Sequence, residues 1–207
     1  MFGGKELDIV SEYKYLGVIV DEHLSFAQCS KTLSESGGRA LSAIISKLKQ
    51  FKDVGFNTFS QMFSSGVTPI LTYASGIWGY AKYNDSESIQ NRASRYFLGV
   101  HKFTPIPALQ GEMGWTPVRL RKNICILRFW NRMIEMSNDR LSKRIFNADY
   151  TKNNGWCSEV KPIFESIDMS TIYENQHTCD LSQVEEKLFA NFQNEWMNSL
   201  SSQLTAI

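Results

Sequence analysis

Between Asn84 and Trp115 the chain reads NDSESIQNRASRYFLGVHKFTPIPALQGEMGW, and its punctuation leaves little choice of local structure. Asn84, Asp85 and Ser86 are residue types that cap helix N-termini, and Asn84 with Glu87 has capping-box spacing. Ile89, Ala93, Tyr96 and Val100 recur every three or four residues, so the predicted helix has one apolar face. Thr104-Pro105 reads as an N-cap followed by proline at the first helical position. Gly111 and Gly114 predict that this second helix is short.

The flanking sequence extends the same pattern. Upstream, Gly3-Gly4-Lys5-Glu6 is a turn signal, Leu7 to Glu12 begins one strand, and Tyr13 to Val20 is a second apolar run of strand length. Residues 21–26 read as a loop. A helical pattern then runs from Ala27 to Phe51 across Gly37-Gly38, where either the helix breaks or another backbone packs close, and Gly55 marks its end. Asn57 or Thr58 is the expected cap of the next helix, which Pro69 kinks or restarts.

Downstream, Thr116-Pro117 opens a helix reaching about Met136, with Leu120, Ile124, Leu127, Trp130 and Ile134 inside. A short helix holds Leu141, Ile145 and Phe146. Residues 147–155 read as a polar linker, Val160 to Ile167 as a short helix, and Asp180 or Ser182 as the cap of the last one. The predicted fold class is mainly α, with a short β-hairpin at the start.

The net charge of +1 conceals an uneven distribution. Residues 1–85 balance at eight Lys/Arg and eight Asp/Glu. Residues 86–144 carry eleven Lys/Arg against four Asp/Glu, and residues 145–207 carry three against nine. A basic middle points to a polyanion-facing surface; the alternative is that it pairs with the acidic tail. Arg121, Arg128 and Arg132 fall within about 40° of each other on a helical wheel, opposite the apolar face.

The four cysteines contain no C-x-x-C pair. Cys29 and Cys125 read as small core residues. Cys157, His177 and Cys179 are the one conceivable metal group, and a fourth ligand is missing. With no signal peptide in evidence, reduced thiols in an intracellular compartment, nucleus or cytoplasm, are expected. No charge occurs between Asp53 and Lys82, a span long enough to cross a bilayer. Its seven Ser/Thr, four Gly and central Pro69 favour buried helices instead, so membrane association is not expected.

Two blocks carry a resemblance. IQNRASRYFLGVHKFTPIPALQGEMGW and SEYKYLGVIVDEHLSF resemble segments of non-LTR (LINE-type) retrotransposon reverse transcriptases, in the family's order and with roughly its spacing. The resemblance implies a β-hairpin remnant of the palm at 1–26, a helical thumb-like bundle at 27–146 and an acidic helical linker or tail at 147–207. It implies a chain cut inside a β element, the product of a truncated element or partial gene. The parent family uses magnesium held by an Asp-Asp turn. This sequence has no Asp-Asp, and its acidic pairs, Asp21-Glu22 and Glu185-Glu186, are poor substitutes. Neither cofactor nor catalysis by the chain alone is therefore expected.

What remains is binding. Lys14, Tyr15 and Gly17 correspond to a primer-grip-like segment: Gly17 allows close backbone approach, Lys14 a phosphate contact, and Tyr15 a sugar or base contact. Their alternative reading is a core strand with one exposed Lys. The thumb-like helices offer Arg92, Arg95, Lys102, Arg121, Arg128 and Arg132 as phosphate contacts, which carry no sequence information. The alternative reading for each is part of a solvated helix face. The partners implied are RNA or DNA, and other reverse-transcriptase segments; no small-molecule substrate is evident. The rival reading is a structural or inert helical remnant with no nucleic-acid role.

Overall fold

The structure is a computed structural model that describes residues 9–51, 53–81 and 83–204. It is mainly helical, with a two-stranded antiparallel hairpin at the N-terminal end. The expected turn at Gly3-Gly4 and the strand start at Leu7 lie outside the described residues.

The hairpin corrects the strand expected at Tyr13–Val20. Strand β1 (Glu12–Tyr15) pairs with β2 (Val18–Asp21) across a two-residue turn at Leu16-Gly17. Both turn residues have positive φ, +46° and +87°, the sign a type I′ hairpin turn requires. Leucine is a poor residue for this conformation. Tyr73 compensates from the helical body, its Oη donating to the Leu16 carbonyl at 2.8 Å. The hairpin rests on a small core of Phe26, Cys29 and Trp78 through Val18, Ile19 and Val20, while β1 is exposed throughout.

Helix α1 (Ala27–Leu48) passes unbroken through Gly37-Gly38. A Cβ on Gly37 would sit 2.5 Å from Leu71 Cδ2, so Gly37 makes room for a side chain rather than for the backbone expected there, while a Cβ on Gly38 would meet only ordinary contacts, 3.4 Å from Ile89 Cδ1. Helix α2 (Phe56–Gly66) begins at Gly55, whose carbonyl accepts from the Phe59 N–H at 3.1 Å; Gly55 opens this helix rather than closing the previous one. Pro69 restarts the chain as α3 (Thr68–Leu71), followed by α4 (Ser75–Trp78). Helix α5 (Asp85–Leu98) ends at Gly99 with φ +65°, and α6 (Ile106–Met113) at Gly114 with φ +59°, as left-handed C-caps do.

Helix α7 (Val118–Glu135) joins the two larger cores. Its first turn contributes Val118 to a core of Leu41, Leu48, Phe59, Phe63, Val67, Leu71, Ala93 and Met113. Its later turns carry Ile126, Leu127, Trp130 and Met133 into a second core built with residues up to Leu188. Trp130 is central there. Its ring meets Phe146, Phe164 and Tyr173 at 5.2–5.3 Å, and its Nε1 donates to the His177 carbonyl at 2.9 Å.

The linker expected at 147–155 is overturned. Helix α8 (Leu141–Lys152) runs through most of it, and Tyr150 packs 5.2 Å from Tyr173. The expected division at 146/147 therefore falls inside a helix whose two sides share one core. Helices α9 (Gly155–Ser166), α10 (Ser170–Glu174) and α11 (Leu181–Leu204) complete the fold. Asp180 caps α11 by accepting from the Ser182 N–H at 2.9 Å. Among the described residues no helix is long and apolar enough to cross a membrane.

Candidate nucleic-acid interface

Helix α7 sets the site because of how its residues divide around the axis. Lys122, Ile126, Leu127, Trp130 and Met133 face inward, so the opposite stripe of Arg121, Arg128 and Arg132 faces out. Arg128 and Arg132 are exposed. Arg121 is half-buried at the edge of a recess of about 230 Å³ lined by Ser60, Gln61, Ser64 and Trp115. None of the three arginines enters an ion pair among the described residues.

The acidic tail leaves this stripe open. Helix α11 lies along a different flank of α7, where Glu185 and Glu186 border a recess with Thr116, Leu120 and Ile124. Its ion pair to α7 joins Glu195 to Arg119, whose guanidinium also stands 5.8 Å from the Phe192 ring.

The arginines of α5 bond to other parts of the chain, Arg92 while exposed and Arg95 while half-buried. Arg92 Nη2 donates to the Gly38 carbonyl at 2.7 Å and to Ser42 Oγ at 3.3 Å, tying α5 to α1. Arg95 Nη2 donates to the Thr104 carbonyl at 3.2 Å, tying α5 to the segment that follows it. Lys102 is exposed, its Nζ 5.0 Å from the centre of the Phe103 ring.

Lys14 and Tyr15 are exposed on β1, on opposite faces of the hairpin, with Tyr13 on the Tyr15 face. Gly17 serves the turn, and the space where its side chain would be is met by the Tyr73 ring at 3.4 Å. The structure thus gathers Arg121, Arg128 and Arg132 on one face, and gives the hairpin residues and the α5 arginines separate surroundings.

Sequence reasoning missed Lys122. It is 3% exposed, donates from Nζ to Ser86 Oγ at 2.6 Å, and stands 4.6 Å from the centre of the Trp78 ring. Burial lowers its pKa, partly offset by Glu87, Asp85 and Cys29 nearby. Its place four residues from both Val118 and Ile126 was the available signal.

Asp21, Cys157 and Cys179 are each hydrogen-bonded within the chain. The Asp21 carboxylate accepts from the Ser25 hydroxyl and from the N–H groups of His23 and Ser25, which holds its pKa below the ordinary carboxylate value. Cys179 is bonded to Asn131 through its N–H at 2.8 Å, and Cys157 points at the Phe146 carbonyl at 3.7 Å. Among the described residues no group of three His, Cys, Asp or Glu is placed to hold a metal. Comparison with known proteins finds no matching family model, no similar curated protein and no similar solved structure.

Proposed function

We propose that this chain is a thumb-like module that holds duplex nucleic acid, an RNA–DNA primer–template above all, through a basic helical surface and without polymerase chemistry of its own. The observation that carries this reading is the outward stripe of Arg121, Arg128 and Arg132 on α7, unpaired by the acidic helix that packs beside it. Three guanidinium groups spread over about three turns of one helix face suit the repeated phosphates of a backbone, which they engage through charge and paired N–H donors. The resemblance of the 11–26 and 89–115 segments to LINE-type reverse transcriptases supports the choice of an RNA–DNA duplex. Lys14 and Tyr15 are secondary contacts in this reading, and Arg92 and Arg95 act as internal ties.

The test is fluorescence anisotropy with a labelled blunt RNA–DNA duplex over a salt series, comparing the protein with Arg121→Ala/Arg128→Ala/Arg132→Ala. Binding is expected to weaken as salt rises. The triple variant should bind more weakly, with a log–log salt slope shallower by about 2–3. A folded sample that fails to bind at low salt, or a variant with the parent's slope, returns the chain to the structural reading.

A further inference from the structure

The end of the bundle away from the hairpin combines exposed rings with cations. Helices α1 and α5 run side by side in the same direction: Ser30 meets Asp85 near their starts, and Gly38 meets Arg92 further along. Their C-terminal ends therefore lie together. Helix α2 starts there too, Phe56 meeting Phe97 edge-on at 5.6 Å.

The segment from Gly99 to Pro105 crosses this end and is pinned from several sides. The Val100 N–H donates to the Arg95 carbonyl at 3.2 Å, and the Thr104 N–H to the His101 carbonyl at 3.0 Å. Arg95 holds the Thr104 carbonyl, and the Phe103 N–H donates to His101 Nδ1 at 3.4 Å. This backbone keeps Phe103 in solvent, 78% exposed, with the His101 ring 5.0 Å from it and Lys102 Nζ 5.0 Å from its centre. Phe51, Phe56 and Tyr96 are also exposed. Residues 47–56 and 95–106 together contain five Lys/Arg and one Asp. Lys47, Lys49 and Lys102 form no ion pair among the described residues.

Exposed rings, set among cations on a pinned backbone, match a flexible polyanion that carries flat apolar faces of its own. A lipid surface would share the charge but does not call for a ring held clear on a pinned segment. We infer that this end of the bundle binds single-stranded nucleic acid, with Phe103 as the platform on which one base stacks and Lys102, Lys47 and Lys49 meeting the flanking phosphates. The inference rests on the nucleic-acid reading proposed above and extends it from the duplex to an unpaired strand.

The test uses anisotropy with three probes: the blunt RNA–DNA duplex, the same duplex with an unpaired thymidine overhang of about 12 nucleotides, and that oligonucleotide alone. The overhang should strengthen binding. Phe103→Ala should weaken overhang binding about tenfold and leave blunt binding unchanged, Phe103→Tyr should retain the gain, and Lys102→Ala should lose part of it. Phe103 is solvent-exposed, so these variants keep the fold, which circular dichroism verifies.

An overhang without effect, or Phe103→Ala binding it like the parent, overturns the inference. So does Phe103-dependent sedimentation with phosphatidylserine-containing phosphatidylcholine vesicles in place of oligonucleotide binding. If the oligonucleotide binds in a Phe103-dependent way while the blunt duplex does not bind, the inference stands and the duplex reading of the α7 stripe falls.

Discussion

The ammonium of Lys122 lies 2.6 Å from the hydroxyl of Ser86, inside the protein, where α7 crosses the start of α5. A buried cation held by a neutral acceptor is a costly arrangement, and removing one partner differs from removing both.

Ser86→Ala, which strips the ammonium of its acceptor, should lose about 1–3 kcal/mol in urea unfolding. Lys122→Met/Ser86→Ala should recover to the parent's stability or above it. The pH dependence follows from the lowered pKa of Lys122. Below that pKa both states are protonated and the folded state alone bears the burial penalty. As pH rises through the lowered pKa toward the ordinary 10.5, the folded protein sheds the proton first and the penalty fades. The double variant's advantage over the parent should therefore be largest near neutral pH and shrink toward 10.5; an advantage that grows with pH would contradict the assignment.

Gly37→Ala offers a sign reversal. Alanine in a helix interior ordinarily gains about 1 kcal/mol over glycine. Here its Cβ would meet the fully buried Leu71, 2.5 Å from Cδ2 and 3.2 Å from Cγ. Overpacking of this kind costs about 1–3 kcal/mol, so a net loss is expected in the denaturation midpoint. Pairing the change with Leu71→Ala should relieve it, which a double-mutant cycle would register as coupling.

The thiols should separate by accessibility. Burial pushes Cys157 up to about 12 and raises Cys29 and Cys179, while Cys125 is half-exposed. Iodoacetamide at about pH 8 should modify Cys125 first and the other three only as the protein unfolds, as read by peptide mass spectrometry. Early labelling of Cys157 in the folded protein would show that the second core opens readily.

The helical body was legible because its signals are local. Gly114 closes its helix as the sequence suggests, whereas the helix expected to carry Val100 stops at Gly99; the 3.6-residue period of 118–135 places Leu120, Leu127 and Trp130 inside. What escaped was set by distant partners. The Leu16-Gly17 turn lacks the usual Asn-Gly signal and depends on Tyr73, 57 residues away. The polar run after Phe146 became helix because Tyr150 reaches Tyr173, its Oη donating to the Tyr173 carbonyl at 3.1 Å. Of the candidate arginines, Arg92 and Arg95 could be told from the stripe only by their acceptors, the carbonyls of Gly38 and Thr104.

The position of α7 in two cores also orders events during synthesis. The first core can close once Val118 has left the ribosome, since its other members all precede that residue. The face bearing Ile126, Trp130 and Met133 must wait for partners as distant as Leu188. That is roughly 55 residues of further translation, or about 3–11 s at ordinary elongation rates. During that interval a nascent chain displays an uncovered tryptophan-centred stripe beside an already folded half, the kind of surface that a holding chaperone recognises.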